Sequence, residues 1–146
     1  MRKLLLLIAL LFATPALAQE RPLSPYVAGA QPATASATGT TAAITATLPG
    51  RAGMLTYLCG FSVRSAATSG VTGNVQVTGT IVGTMNFTHT TSVLTAGPGA
   101  TDQVFTPCIP ASAIATNIVI ITPAPGSGGV VSATVWGFRL PGAFPF

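Results

Sequence analysis

The sequence predicts an all-β protein: an antiparallel β-sandwich of jelly-roll type, with about seven to eight short strands after a cleaved leader. Three observations predict it. Apolar residues alternate with Thr, Asn and Gln at period two in several short runs. Gly and Pro cluster between those runs, where turns are needed. Past the leader, no stretch carries the spacing or the start signals of a helix.

Residues 1–18 read as a Sec-type signal peptide. Arg2-Lys3 precede the apolar run Leu4 to Ala13, and Pro15-Ala16-Leu17-Ala18 places small residues for cleavage before Gln19. The apolar run is too short to span a bilayer as a helix. Residues 19–39 form an extended Pro/Ala/Thr arm in which only Leu23, Tyr26 and Val27 can anchor anything. Two readings of it stay open, a disordered leader and an arm that docks on a neighbouring subunit through Tyr26 and Val27. Residues 40–146 are expected to form a single domain with one core.

Within that domain, Ile44, Ala46 and Leu48 share a face of a first strand that ends at Pro49-Gly50. Leu55 to Val63 places Leu55, Tyr57, Cys59, Phe61 and Val63 at alternate positions, which predicts a strand with one buried face and Cys59 at its centre. Val71, Val75, Val77 and Ile81 alternate with polar residues, as in a half-exposed antiparallel strand. Gly83 turns the chain into Met85 and Phe87, giving a hairpin. Pro107 and Pro110 confine the strand from Gln103 to Ile109 to a sheet edge, because proline has no N–H for a central ladder. Ile118-Val119-Ile120-Ile121 is apolar throughout and predicts a central rung. The last strand, Val130 to Leu140, carries Trp136, Phe138 and Leu140 on one face. Phe144 and Phe146 extend that even-numbered apolar series into the C-terminal tail.

Charge is scarce. The formal net charge of +4 falls to +2 when Arg2 and Lys3 leave with the leader, so the basic balance reflects few acids and no basic patch. Nucleic acid is therefore not an expected partner. An exported chain with two cysteines most simply forms one disulfide, Cys59 to Cys108.

No catalytic constellation is expected. His89 is the sole histidine, and a Ser-His-Asp arrangement would need Asp102 plus a serine that no Gly-x-Ser-x-Gly elbow frames. Metal binding through Cys59, Cys108 and His89 would need reduced thiols and lacks C-x-x-C spacing. Glycosidase chemistry needs a carboxylate pair, and Glu20 in the arm leaves Asp102 alone. Neither a cofactor nor a metal is expected.

Leu48-Pro49-Gly50-Arg51-Ala52-Gly53, Tyr57-Leu58-Cys59-Gly60-Phe61, Thr106-Pro107-Cys108-Ile109-Pro110-Ala111-Ser112-Ala113 and Trp136-Gly137-Phe138 together carry a resemblance. Over Thr40 to Leu140 the chain resembles small all-β proteins of tailed phages and proteobacterial genomes, some of them regarded as virion decorations. The resemblance implies an all-β fold and a structural role, and it assigns no functional residue.

The expected function is that of a non-catalytic structural or interaction protein, exported to the periplasm, cell surface or exterior. It would self-associate as a homo-oligomer or decorate a surface, with Tyr26, Trp136, Phe144 and Phe146 as interface or ligand contacts. The alternatives are a carbohydrate-binding module, in which Trp136, Tyr57 or Tyr26 stacks on a sugar ring, and a small outer-membrane β-barrel suggested by the aromatic C-terminal series. Once the leader is cleaved, membrane association is not expected.

Overall fold

The computed structural model describes residues 29–142. Eight strands follow in chain order: β1 (Gln31–Thr40), β2 (Thr45–Leu48), β3 (Met54–Ala67), β4 (Val71–Thr80), β5 (Gly83–Val93), β6 (Gly99–Pro110), β7 (Ile118–Ile121) and β8 (Val130–Pro141), with one 3-10 turn at Leu94–Ala96. The all-β expectation holds. The signal-peptide segment lies outside the described residues.

Hydrogen bonding runs β1-β8-β3-β5-β4-β7-β2, with β6 on β3, in one mixed sheet that curls into a nearly closed barrel. Every ladder is antiparallel except a two-residue parallel link, Ala66↔Ser92 and Ala67↔Val93, between β3 and β5. This short link separates two runs of four strands, β1-β8-β3-β6 and β2-β7-β4-β5. At the other end of the seam, the Ile81 N–H donates to the Pro110 carbonyl at 3.0 Å and the Ser112 N–H to the Gly79 carbonyl at 2.9 Å. Leu48, Phe61 and Val135 project inward from different strands to meet Val77 and Ile120, all fully buried. Each contributes roughly 1.5–3 kcal/mol by leaving water.

Several strands behave as their patterns predict. β7 lies between β4 and β2, with Ile118 and Ile120 buried. β4 and β5 form the expected hairpin. Among the described strands β6 pairs with β3 alone, at the edge to which its prolines restrict it.

Three expectations are corrected. First, Gln31 to Gly39, read as the end of the arm, is part of β1, paired with β8 from Gln31↔Arg139 to Thr40↔Val130. Its inward residues Ala33, Ala35 and Ala37 pack on the core, and alanine is too small to register as a hydrophobic pattern. The first strand, expected from Thr40 to Leu48, is shortened to β2, and the chain breaks between β1 and β2 at Thr41, whose φ of 60° is left-handed.

Second, β3 does not bury one continuous face. Met54, Thr56 and Leu58 are buried before Cys59, whereas Phe61, Val63 and Ser65 are buried after it. The ladders to both β6 and β8 shift register between Leu58 and Gly60. A bulge adds one residue and turns the period-two pattern over, so Leu55, Tyr57 and Cys59 share the outer face. Third, Ile81 is not an inward strand residue. It sits in the hairpin turn, 65 % exposed, while Thr80 takes the buried position.

Candidate functional site

His89 projects inward from β5 in phase with Met85 and Phe87, as its spacing suggests, and is 1 % exposed. Its Nε2 lies 2.5 Å from Ser65 Oγ on β3, and its Nδ1 lies 2.8 Å from Thr101 Oγ1 on β6. Ser65 in turn donates to Thr91 Oγ1 at 3.0 Å. With the single Ser65 proton committed to Thr91, Ser65 accepts from His89 Nε2–H, and Nδ1 is left to accept from Thr101. The sequence reading did not identify this hydroxyl chain. Ser65 and Thr101 are ordinary β-strand residues whose approach depends on β3, β5 and β6 meeting at the seam.

Asp102 does not join it. Neighbouring strand residues point to opposite faces, so Thr101 turns in and Asp102 turns out. There Asp102 receives two hydrogen bonds from Arg64, Nη1 to Oδ1 at 2.7 Å and Nη2 to Oδ2 at 2.8 Å. The Arg64 hydrogen bond, assisted by one from Ser62, holds the Asp102 carboxyl below the usual carboxylate range. Both partners are solvent-exposed, so this pair adds little stability. Ser65 is only 2 % exposed, and its hydroxyl is engaged with both His89 and Thr91. The Ser65-His89-Thr101 chain is a buried polar link between three strands.

Burial pushes the His89 imidazole below its ordinary range, and the Arg64 charge pushes it the same way. The unfolded chain therefore takes up a proton near pH 6.5 that the folded protein resists. Stability from this site is complete above about pH 6.5 and is lost as the pH falls below it, by up to about 1.4 kcal/mol per pH unit. Urea midpoints measured from about pH 7.5 to 4.5 should decline in this window, with the slope reduced in His89→Gln. An equal slope in the variant would show that His89 does not titrate on unfolding.

On the outer face, Cys59 and Cys108 form the expected disulfide between β3 and β6. It sits where the ladder is interrupted: Leu58 pairs with Ile109 and Gly60 with Val104, which leaves Phe105 to Cys108 looped out. Beside it, the Tyr57 and Phe138 rings stack with centroids 4.8 Å apart and planes 10° from parallel. With Phe105, Pro107 and Leu140 they line an open apolar depression of about 490 Å³. Trp136 is half-buried and lies over Gly60. A Cβ at Gly60 would collide with the indole and with the Gln103 carbonyl, so glycine there lets the ring lie flat on the sheet.

Of the residues expected to make contacts, Trp136 and Tyr57 thus both lie on the outer face of the β8-β3 ladder. Tyr26, Phe144 and Phe146 lie outside the described residues. Among the described residues, no group of three or more His, Cys, Asp or Glu side chains could hold a metal ion. No helix there is long and apolar enough to cross a membrane. No protein-family model, curated protein or solved structure matches the chain.

Proposed function

We propose that this chain is a non-catalytic structural or interaction protein, exported across a bacterial membrane, that self-associates or decorates a surface. One observation carries the reading: large aliphatic side chains are exposed on a surface that carries few charges. Val104 on the β6 edge is 71 % exposed, and Ile81 and Val82 at the β4-β5 turn are 65 % and 59 % exposed. The charged side chains of the described residues are Arg51, Arg64, Asp102 and Arg139, and each is hydrogen-bonded within the chain. Arg51 Nη1 donates to Gln31 Oε1 at 2.8 Å, Arg64 holds Asp102, and Arg139 Nε donates to the Pro49 carbonyl at 2.9 Å. Proteins that stay monomeric commonly guard an edge with lysine or an inward charge, and among the described residues β6 has a ladder partner on one side only.

The jelly-roll reading is supported by strand order. Two four-stranded runs, 1-8-3-6 and 2-7-4-5, are what two nested Greek keys produce. The disulfide supports export, since such bonds persist in oxidising compartments. The non-catalytic reading is supported by the closed environment of Ser65 and His89. An apolar interior with Thr72, Asn74 and Gln76 facing outward is the opposite of a lipid-facing barrel and favours a water-exposed protein. The resemblance to phage-type decoration proteins agrees with a surface role.

A sugar-binding module is the second reading, favoured by the Tyr57-Phe138 ring pair beside an open depression. Against it, among the described residues the side chains lining that depression offer only the hydroxyls of Tyr57 and Thr106 for hydrogen bonding.

Expression of the full chain in a bacterium, followed by intact-mass measurement and light scattering on the exported product, tests the proposal. The expected result is a chain beginning at Gln19 with a mass that is a multiple of the protomer. A strictly monomeric protein at high concentration that is retained on a glycan array would transfer the assignment to sugar binding.

A further inference from the structure

We infer that the outer wall of the β1-β8-β3-β6 run is a binding site for a neutral glycan chain, held between the Trp136 ring and a cavity beside Arg64. This names the chemistry of the surface that the protein decorates, and it rests on that part of the proposed function and not on self-association. Three transverse rows make up the site. Thr34, Trp136 and Gly60 lie in the first, Ser36, Thr134, Ser62 and Asp102 in the second, and Thr38, Ser132 and Arg64 in the third. Their side chains alternate with the buried Val131, Ala133 and Val135 of β8 and so face outward. The third row runs into an open cavity of about 420 Å³, with Thr38, Thr40, Ser132 and Arg64 on its polar side and Pro98 and Val130 on its apolar side.

Each part matches a feature of a sugar chain. The Trp136 ring rests on Gly60, so its opposite face is turned outward, where the apolar C–H face of a sugar ring can stack on it. In the middle row the Arg64-Asp102 pair keeps hydrogen-bonding capacity. Arg64 uses three of its five N–H groups, one on the Val63 carbonyl and two on Asp102. Asp102 accepts those two and one from Ser62, and an ionised carboxylate accepts about four. Donors and an acceptor thus stand side by side, as two adjacent sugar hydroxyls require. A pair this exposed contributes little to stability, so stability does not account for its bidentate geometry.

The same pair sets the charge of the ligand. Asp102 balances Arg64 within the site, which suits a neutral polyol better than an anion. Length is set by the strands. Four residues of β8 separate Trp136 from Ser132, about 13 Å at the rise of a β-strand, which exceeds one sugar ring and calls for a chain. Between the two ends the exposed hydroxyls of Ser36 and Thr134 offer further hydrogen bonds. The Tyr57 depression, with two hydroxyls and no charged group among its lining side chains, lacks this combination.

An array of neutral and acidic glycans, followed by fluorescence titration with the neutral oligosaccharides retained, tests the assignment on the mature protein. Trp136 is the sole tryptophan of the sequence, so its emission reports this site directly. The expected result is retention on neutral glycans and a shift of the Trp136 emission on titration. Trp136→Ala and Asp102→Asn should each weaken retention about tenfold or more, the loss expected for a stacking face or a hydrogen bond to a charged group. Asp102 is exposed, so Asp102→Asn should keep the fold even if Trp136→Ala does not, and melting temperatures check both. Tyr57→Ala should be retained as the wild type is. Retention that survives Asp102→Asn and Trp136→Ala and is lost in Tyr57→Ala would move the site to the Tyr57 depression. Retention on acidic glycans alone, or on none, would overturn the inference, while light scattering on the same samples reads self-association separately.

Discussion

Replacing Cys59 and Cys108 together by serine is expected to lower the stability of this protein by about 4 kcal/mol, the chain-entropy value for a closed loop of this size and an upper estimate. The bridge spans 49 residues of sequence and joins β3 to β6. Its position adds to its effect. Between Leu58↔Ile109 and Gly60↔Val104 the β6 strand has four residues with no ladder partner on β3, and Pro107 among them has no N–H to offer. The disulfide is the covalent tie across that gap. It also holds Phe105 where its ring reaches Phe61 and Phe87, at centroid distances of 6.3 Å and 6.2 Å. Thermal unfolding of the oxidised protein and of the double variant, followed by circular dichroism, should differ by on the order of 15 °C for a domain of this size. Equal melting temperatures would show that the backbone ladder alone holds β6.

Phe61→Ala is expected to cost roughly 3–5 kcal/mol, the range for deleting a buried aromatic side chain and leaving its cavity. Phe61 is fully buried on β3. Its ring meets Phe87 of β5 edge-on, at a centroid distance of 5.2 Å and an angle of 68°, and also faces Phe105 of β6. Between β3 and β5 the backbone supplies only a two-residue parallel link. The aromatic trio and the Ser65-His89-Thr101 chain therefore do much of the joining at this seam. A double-mutant cycle of Phe61→Ala with Phe87→Ala, read from urea midpoints, should show coupling of about 0.5–1.5 kcal/mol, as ring pairs in contact do. Additive losses would mean that the two rings are buried independently.

The candidate contact surface was only partly legible in the sequence. Trp136, Phe138 and Leu140 were visible as one apolar face by their spacing, but spacing does not say whether a face points in or out. Val131, Ala133 and Val135 occupy the inner face, so the aromatic set is on the outer one. Tyr57 was expected to be buried and joins that outer set because of the bulge at Cys59. Ile81 looked like the end of a strand, because β-branched residues favour strands far more than turns.

What the sequence determined by itself is the material of the fold. Period-two alternation in β4, β5 and β8, the all-apolar Ile118 to Ile121, the prolines that keep β6 at an edge, and two cysteines in a chain read as exported all follow from local chemistry and were legible without coordinates. Only the tertiary structure decided which face is which. One extra residue at Cys59 inverts every side chain on one side of it, and alanines become a strand at β1 only because β8 is there to pair with them. His89 likewise acquires its meaning from Ser65 and Thr101, 24 and 12 residues away in the chain. These outcomes depend on register and on contacts between distant segments, and neither leaves a periodic trace in the order of residues.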